Sequence, residues 1–194
     1  MILSDGEIQE EIRRKRIIID PPASEERYTT SALDLLLGDE LLELKTLEEL
    51  AKDEPAGVER PLIVDPARVD LKVLLQKYAK PLPRETDGSF VLQPRKFVLG
   101  ITREYIELPR RSKIAARVEG RSTLARLGLV VHLTAPTIHA GFAGHIILEM
   151  YNFASFPLRL FPGNLAICQL IFERLGRIPK GPVRTRYLKQ KSIR

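Results

Sequence analysis

From Phe90 onward, short apolar runs alternate with turn residues at close spacing, and this rhythm limits the possible folds more than any other feature. "FVLQPRKFVLGITREYIELP" holds three short runs separated by Pro94 and Gly100. "KIAARVEG", "LVVHLTA", "HIILEMYN", "PLRLFPG" and "LAICQLIFERL" follow, with turns expected at Gly128, Gly141, Gly144 and Pro162-Gly163. Many short strands with regular turn residues predict a barrel or sandwich and argue against a βαβ array.

The first half adds minor helical segments. Ser4 and Glu7 form an S-x-x-E capping box, Leu3 and Ile8 are placed as a hydrophobic staple, and the helix is expected to end near Lys15. "RIIID" reads as a short strand stopped by Pro21-Pro22, and residues 23–30 as a polar loop. "SALDLLLGDELLEL" reads as two strands around a turn at Gly38-Asp39, with helix open for its leucine-rich half. Across 45–88 the pattern is weak: "TLEELAKDEPAG" suits a helical turn, and "VDLKVLLQKYAKPLP" suits a strand or a short helix. The basic stretch 176–194, with Gly and Pro, reads as a flexible tail on a single domain spanning 1–194.

With 194 residues, 44% hydrophobic and 29% charged, the chain has the composition of a soluble globular domain. No apolar run approaches the ~18 residues of a membrane helix, and none near the N-terminus suits a secretory signal. A cytoplasmic location is therefore expected, in keeping with a single cysteine, Cys168, which has no internal disulfide partner. The net charge of +6 suits a polyanion. The basic residues are mixed with acidic ones and the tyrosines form no stacking ladder, so a nucleic-acid platform is not favoured.

Two stretches carry chemistry. In "EGRSTLARLGL", Gly120, Arg121, Ser122 and Thr123 stand together with Arg126 close behind. Glycine permits close approach, hydroxyls donate to phosphate oxygens, and guanidinium groups grip them in bidentate fashion. The plainer reading is a surface turn leading into an amphipathic helix start, with Leu124 and Leu127 in the core. In "HIILEMYN", strand alternation puts Ile147, Glu149 and Tyr151 on one face and Ile146, Leu148 and Met150 on the other. Apolar residues on both faces predict partial burial of Glu149. Two roles stand open for it: a carboxyl whose burial readies it for proton transfer near neutral pH, or one arm of a structural salt bridge. His132, His139 and His145 match no metal-ligand spacing, and the single cysteine cannot supply a zinc-deaminase set. They read as turn and strand histidines with ordinary hydrogen bonds.

Together these stretches resemble the dCTP deaminases of the trimeric dUTPase-like superfamily. The resemblance runs through "MILSD", "SALDLLLGDE", "EYIELP", "GRSTLARLGLVVHLTA", "IHAGFAGHIILEMYN", "PGNLAICQLIF" and "RYLKQKS". It implies a mainly β, distorted jelly-roll barrel assembled as a homotrimer with sites between subunits. It also implies hydrolysis of a cyclic-amidine C–N bond, dCTP to dUTP and ammonia, with Mg2+ accompanying the triphosphate and no zinc. Glu149 then matches the general acid/base, with Ser122 and Arg126 at the catalytic centre. Arg121, Ser122, Thr123, Leu124, Ala125 and Arg126 match the nucleotide-binding turn. Ala135, Ile147 and Leu148 match backbone positions around the base. Arg186 and Gln190, beside Tyr187 and Lys191, match tail positions that fold over the phosphates. Ligands implied by the resemblance are dCTP, dUTP and, as an inhibitor, dTTP.

One position departs from the pattern. Where the family and dUTPases carry an aspartate, this chain has His139, in "IHAGF". Imidazole can still bond a sugar hydroxyl but lacks the carboxylate's charge. The departure also bears on how a deaminase of this kind would discriminate the sugar. It argues against the rival readings of a dUTP pyrophosphatase, alone or coupled to deamination, while leaving a non-catalytic nucleotide-binding module as a third reading.

Overall fold

In the computed structural model, which describes residues 1–53, 63–181 and 191–193, a large antiparallel sheet curls around a main apolar core, beside which Leu42, Leu75, Ala79, Ile101 and Ile193 form a smaller second cluster. The elements in chain order are α1 (Asp5–Arg13), β1 (Ile18–Asp20), a 3₁₀ turn (Glu25–Arg27), β2 (Tyr28–Thr29), β3 (Ala32–Leu44) and α2 (Leu47–Asp53). Then come α3 (Leu71–Tyr78), β4 (Ala79–Pro81), β5 (Phe90–Leu92), β6 (Phe97–Glu107), a second 3₁₀ turn (Arg110–Ser112) and β7 (Ile114–Gly120). The last elements are α4 (Ser122–Arg126), β8 (Leu129–Val130), β9 (Thr137–Ile138), β10 (Ala143–Asn152), β11 (Leu158–Leu160) and β12 (Ala166–Arg174). The main sheet runs β8-β10-β6-β3-β12-β7-β9, with β1 on β6 and β2 and β4 on β3; β11 and β5 form a separate pair. The mainly β class and the short N-terminal helix are as expected from the sequence.

The start of the chain follows local rules. Ser4 accepts from the Glu7 N–H while the Glu7 carboxylate accepts from the Ser4 N–H at 2.9 Å, closing the capping box. Leu3 and Ile8 are fully buried. Beneath the sheet, Arg27 ion-pairs with the fully buried Glu104, whose second oxygen accepts from Leu36 N at 2.9 Å. Cys168 is free and buried, and burial pushes its thiol well up from the ordinary range.

Several expected breaks are absent. Within the stretch expected as two strands, Ala32–Leu44 forms one: at Gly38 a Cβ would stand 2.8 Å from the Ile101 carbonyl oxygen, so this glycine marks a close approach instead of a turn. Gly100 likewise lies inside β6, facing Met150 Sδ at 2.7 Å from where a Cβ would be. Gly144 belongs to β10. The expected strand "LVVHLTA" shortens to Leu129–Val130, and the expected loop at 23–30 contains a 3₁₀ turn and a short strand. Leu127, expected in the core, is 45% exposed, while Leu124 packs against the core. In the weakly patterned region, 71–78 is helix, capped by Asp70 accepting from Lys72 N at 2.9 Å.

The sheet near β10 is irregular. His145 pairs with Tyr105 and Ile147 with Ile101, so two residues of β10 span four of β6. Thr102 stitches this bulge: its hydroxyl accepts from Ile146 N at 3.0 Å and donates to Glu104 O at 2.9 Å. Bulges of this kind re-aim side chains. No helix among the described residues is long and apolar enough to cross a membrane.

Candidate active site

The alternation along β10 has a plain consequence. Ile146, Leu148, Met150 and Asn152 are buried in the sheet's core side, while His145, Ile147, Glu149 and Tyr151 are half-buried on the other. His145, Ile147 and Glu149 line a cavity of about 530 Å³, a volume in the range of small-molecule sites. Its walls include Phe97 and Leu99 of β6, Leu71, Leu74 and Leu75 on α3, Phe142, Val118 and Ile193. Polar atoms come from Thr137, His132, His139, His145 and Glu149. All three histidines of the chain thus meet in one cavity.

Beyond the backbone pairing of β10 with β6, the Glu149 side chain makes no ion pair or hydrogen bond among the described residues, and the structural salt bridge left open by the sequence has no partner there. It is partly buried, as its strand position predicts. The ring of His145 is held on two sides. Its Nδ1 donates to Thr102 O at 3.1 Å, and Tyr105 meets it edge-on, with centroids 5.7 Å apart at 82°. His132 Nδ1 is buried without a hydrogen-bond partner among the described residues.

Of the residues expected at the site, the cavity gathers Ala135, His139, Ile147, Leu148 and Glu149. It does not gather the cations. Although the chain has 31 Lys and Arg, none among the described residues lines this cavity. Ser122, Thr123, Ala125 and Arg126 stand exposed on α4. Arg121 lies in a second cavity of about 510 Å³ and ion-pairs with Asp34. The other Asp34 oxygen is buried with no hydrogen-bond partner among the described residues. Arg186 and Gln190 lie outside the described residues. Just after them, Ile193 is buried against Leu42, Leu75, Ala79 and Ile101, and its N–H donates to Glu40 at 3.1 Å.

Sequence reasoning missed the α3 wall, because Leu71, Leu74 and Leu75 fall in the region with the weakest pattern. It also missed His145 as a wall residue. The alternation that singled out Glu149 places His145 on the same face, and that signal was available.

The curled sheet is shared with the crystal structure of 2'-deoxycytidine 5'-triphosphate deaminase from Agrobacterium tumefaciens, at a TM-score of 0.62 and 20% identity. The match covers 90% of this chain and 48% of that one, so the chain spans about half the length of this structural neighbour. A family model described as dCTP deaminase-like matches residues 2–175. The "dCTP deaminase, dUMP-forming" of Methanobrevibacter smithii is 34% identical over 194 residues, covering 97% of this chain and 91% of the relative. That of Persephonella marina is 38% identical over 191 residues, covering 98% and 93%. The chain belongs to the dCTP deaminase-like family and is an enzyme of that family.

Proposed function

We propose that the chain deaminates dCTP at C4 of cytosine, with Glu149 as general acid and base, and carries the product on to dUMP. One observation carries the first half. Among the described residues lining this largely apolar cavity there is one carboxylate, Glu149 on β10, its side chain unpaired, and no Lys or Arg. Such a cavity suits an uncharged base and sugar. A nearby carboxylate takes a proton from the attacking water, gives one to N3, and later protonates the departing amine. The balance is dCTP plus water giving dUTP plus ammonia. A second water, attacking at phosphorus, gives dUMP and pyrophosphate. The sequence expectation stopped at dUTP; the names of the relatives, which are dUMP-forming, support the longer course.

In this proposal Ser122 orients the water and Arg126 steadies the ionised carboxylate. The backbone at Ala135, Ile147 and Leu148 reads the base. Arg121, Ser122 and Thr123, with Leu124 and Ala125 shaping the turn, hold the triphosphate, and Arg186 and Gln190 close over it. The exposed position of α4 and the absence of cations from the cavity wall support a shared site, in which α4 of one protomer serves the cavity of another. A homotrimer has the symmetry for that arrangement. Among the described residues no three His, Cys, Asp or Glu side chains converge as metal ligands. Mg2+ is therefore proposed to ride on the triphosphate oxygens, and no step is assigned to it. Zinc has no part in the scheme. A cytoplasmic location remains part of the same reading, as does inhibition by dTTP.

His139 favours a second reading, arrest at dUTP. It stands exposed at the cavity where the family's aspartate is expected, with no carboxylate to activate a water. Incubation of the pure protein with dCTP and Mg2+, followed by nucleotide chromatography and a pyrophosphate assay, separates the cases. Ammonia, dUMP and pyrophosphate in equal amounts are expected. Accumulating dUTP supports arrest after deamination, and dCTP that binds but stays intact overturns the deaminase reading in favour of a non-catalytic module.

A further inference from the structure

We infer that His145 is a specificity residue of this cavity, its Nε2 accepting a hydrogen bond from a hydroxyl group of the nucleotide's sugar. The inference rests on the cavity being the nucleoside site. Three observations lead to it.

The first is orientation. A backbone carbonyl only accepts, so the Nδ1 that meets Thr102 O at 3.1 Å must carry the proton. In the neutral ring this leaves a lone pair on Nε2, which has no protein partner among the described residues. The Tyr105 edge and the Thr102-stitched bulge hold the ring in that pose, so the acceptor is fixed in direction.

The second is position. His145 and Glu149 lie on the same face of β10, four residues apart. At the rise of a strand this separates their Cα atoms by on the order of 13 Å. A pyrimidine ring is far shorter than that. With Glu149 at C4, His145 lies beyond the glycosidic bond.

The third is charge. Beyond the glycosidic bond a nucleotide offers sugar and then phosphate. A fixed lone pair repels phosphate oxygens, and in the proposed shared site the phosphates have their partners on α4 of a neighbouring protomer, not on this wall, whose described residues include no Lys or Arg. A hydroxyl is the donor that fits.

The test compares dCTP with 2',3'-dideoxy-CTP, which lacks the sugar hydroxyl, on the full chain and on His145→Phe. Phenylalanine keeps an aromatic ring against Tyr105 and removes both nitrogens. For the parent, kcat/KM on dCTP should exceed that on the dideoxy analogue by about tenfold, the weight of one net hydrogen bond. His145→Phe should lose that factor on dCTP and show no change on the analogue. His145→Ala serves as a second variant if the phenylalanine form does not fold, with the same outcome expected. An equal loss on both nucleotides overturns the inference. So does a hydroxyl preference that persists in His145→Phe and vanishes in His139→Ala. Equilibrium binding of both nucleotides keeps the two claims apart. A parent that binds neither refutes the nucleoside-site reading together with this inference. A parent that deaminates dCTP and the analogue equally well refutes this inference alone.

Discussion

Gly38 and Ile101 approach so closely that a Cβ on the glycine would meet the Ile101 carbonyl oxygen at 2.8 Å and its Cγ2 at 2.9 Å. This contact lies where β3 slips register against β6, between the Leu37–Thr102 and Leu41–Gly100 pairs. Backbone cannot swing aside as a side chain can. Gly38→Ala is expected to destabilise by about 1–3 kcal/mol, the range for overpacking. Gly100→Ala should cost less, because the atom it meets is Sδ of the flexible Met150 side chain. Urea denaturation of both variants checks the order, and equal costs would contradict it.

Arg27 and Glu104 make a second internal constraint. The Glu104 side chain is fully buried, and Arg27 is 11% exposed. Arg27→Met leaves a buried carboxylate without its counter-charge and is expected to cost about 3–5 kcal/mol. Adding Glu104→Leu should recover only part, because Leu36 N would then lose its acceptor. Denaturation midpoints of the single and double variants read this directly; full recovery in the double variant would show that the Leu36 bond has no weight.

Acid should loosen the join between α2 and β4. Glu49 is held down to about 2, first by its hydrogen bond from Lys80 and then by the Thr46 N–H. A depressed folded-state pKa gives stability that is present above the ordinary value of 4.5 and is lost as pH falls toward about 2. The pair stands in solvent, so salt should weaken it. The stability difference between the parent and Glu49→Gln is expected to shrink between pH 5 and pH 2 and with added salt. A difference that holds constant across both would exclude this pairing in solution.

If α4 of one protomer serves the cavity of another, two dead variants should rescue one another. Glu149→Gln and Arg126→Ala, each inactive alone, are expected to regain deaminase activity when refolded together, because some sites then receive both intact residues. Mixed assemblies that stay inactive would place both residues in one protomer's site.

The sequence exposed much of this fold where local rules decide the outcome. The Ser4–Glu7 box starts α1, and alternation over 145–151 puts Glu149 on the half-buried face. Gly38, Gly100 and Gly144 were misread as breaks because glycine's local meaning is a turn. What fixes the first two is the backbone or side chain across the sheet, which sequence does not display. The site was half legible. Ala135, His139, Ile147, Leu148 and Glu149 line one cavity. Ser122 and Arg126 do not join them: they stand exposed on α4, away from the cavity lining. The α3 wall was hidden because an eight-residue helix with only Leu75 fully buried leaves little periodic signal.

The proton chemistry of Glu149 is tested most directly by pairing binding with turnover in Glu149→Gln. Glutamine keeps the side chain's size and removes its proton chemistry. Equilibrium binding of dCTP is expected to stay within a few-fold of the parent, while deamination falls by about 10²–10⁴-fold, the usual weight of a general acid/base. Release of ammonia from dCTP by the variant at the parent's rate would contradict the assignment of Glu149 as the proton-carrying group.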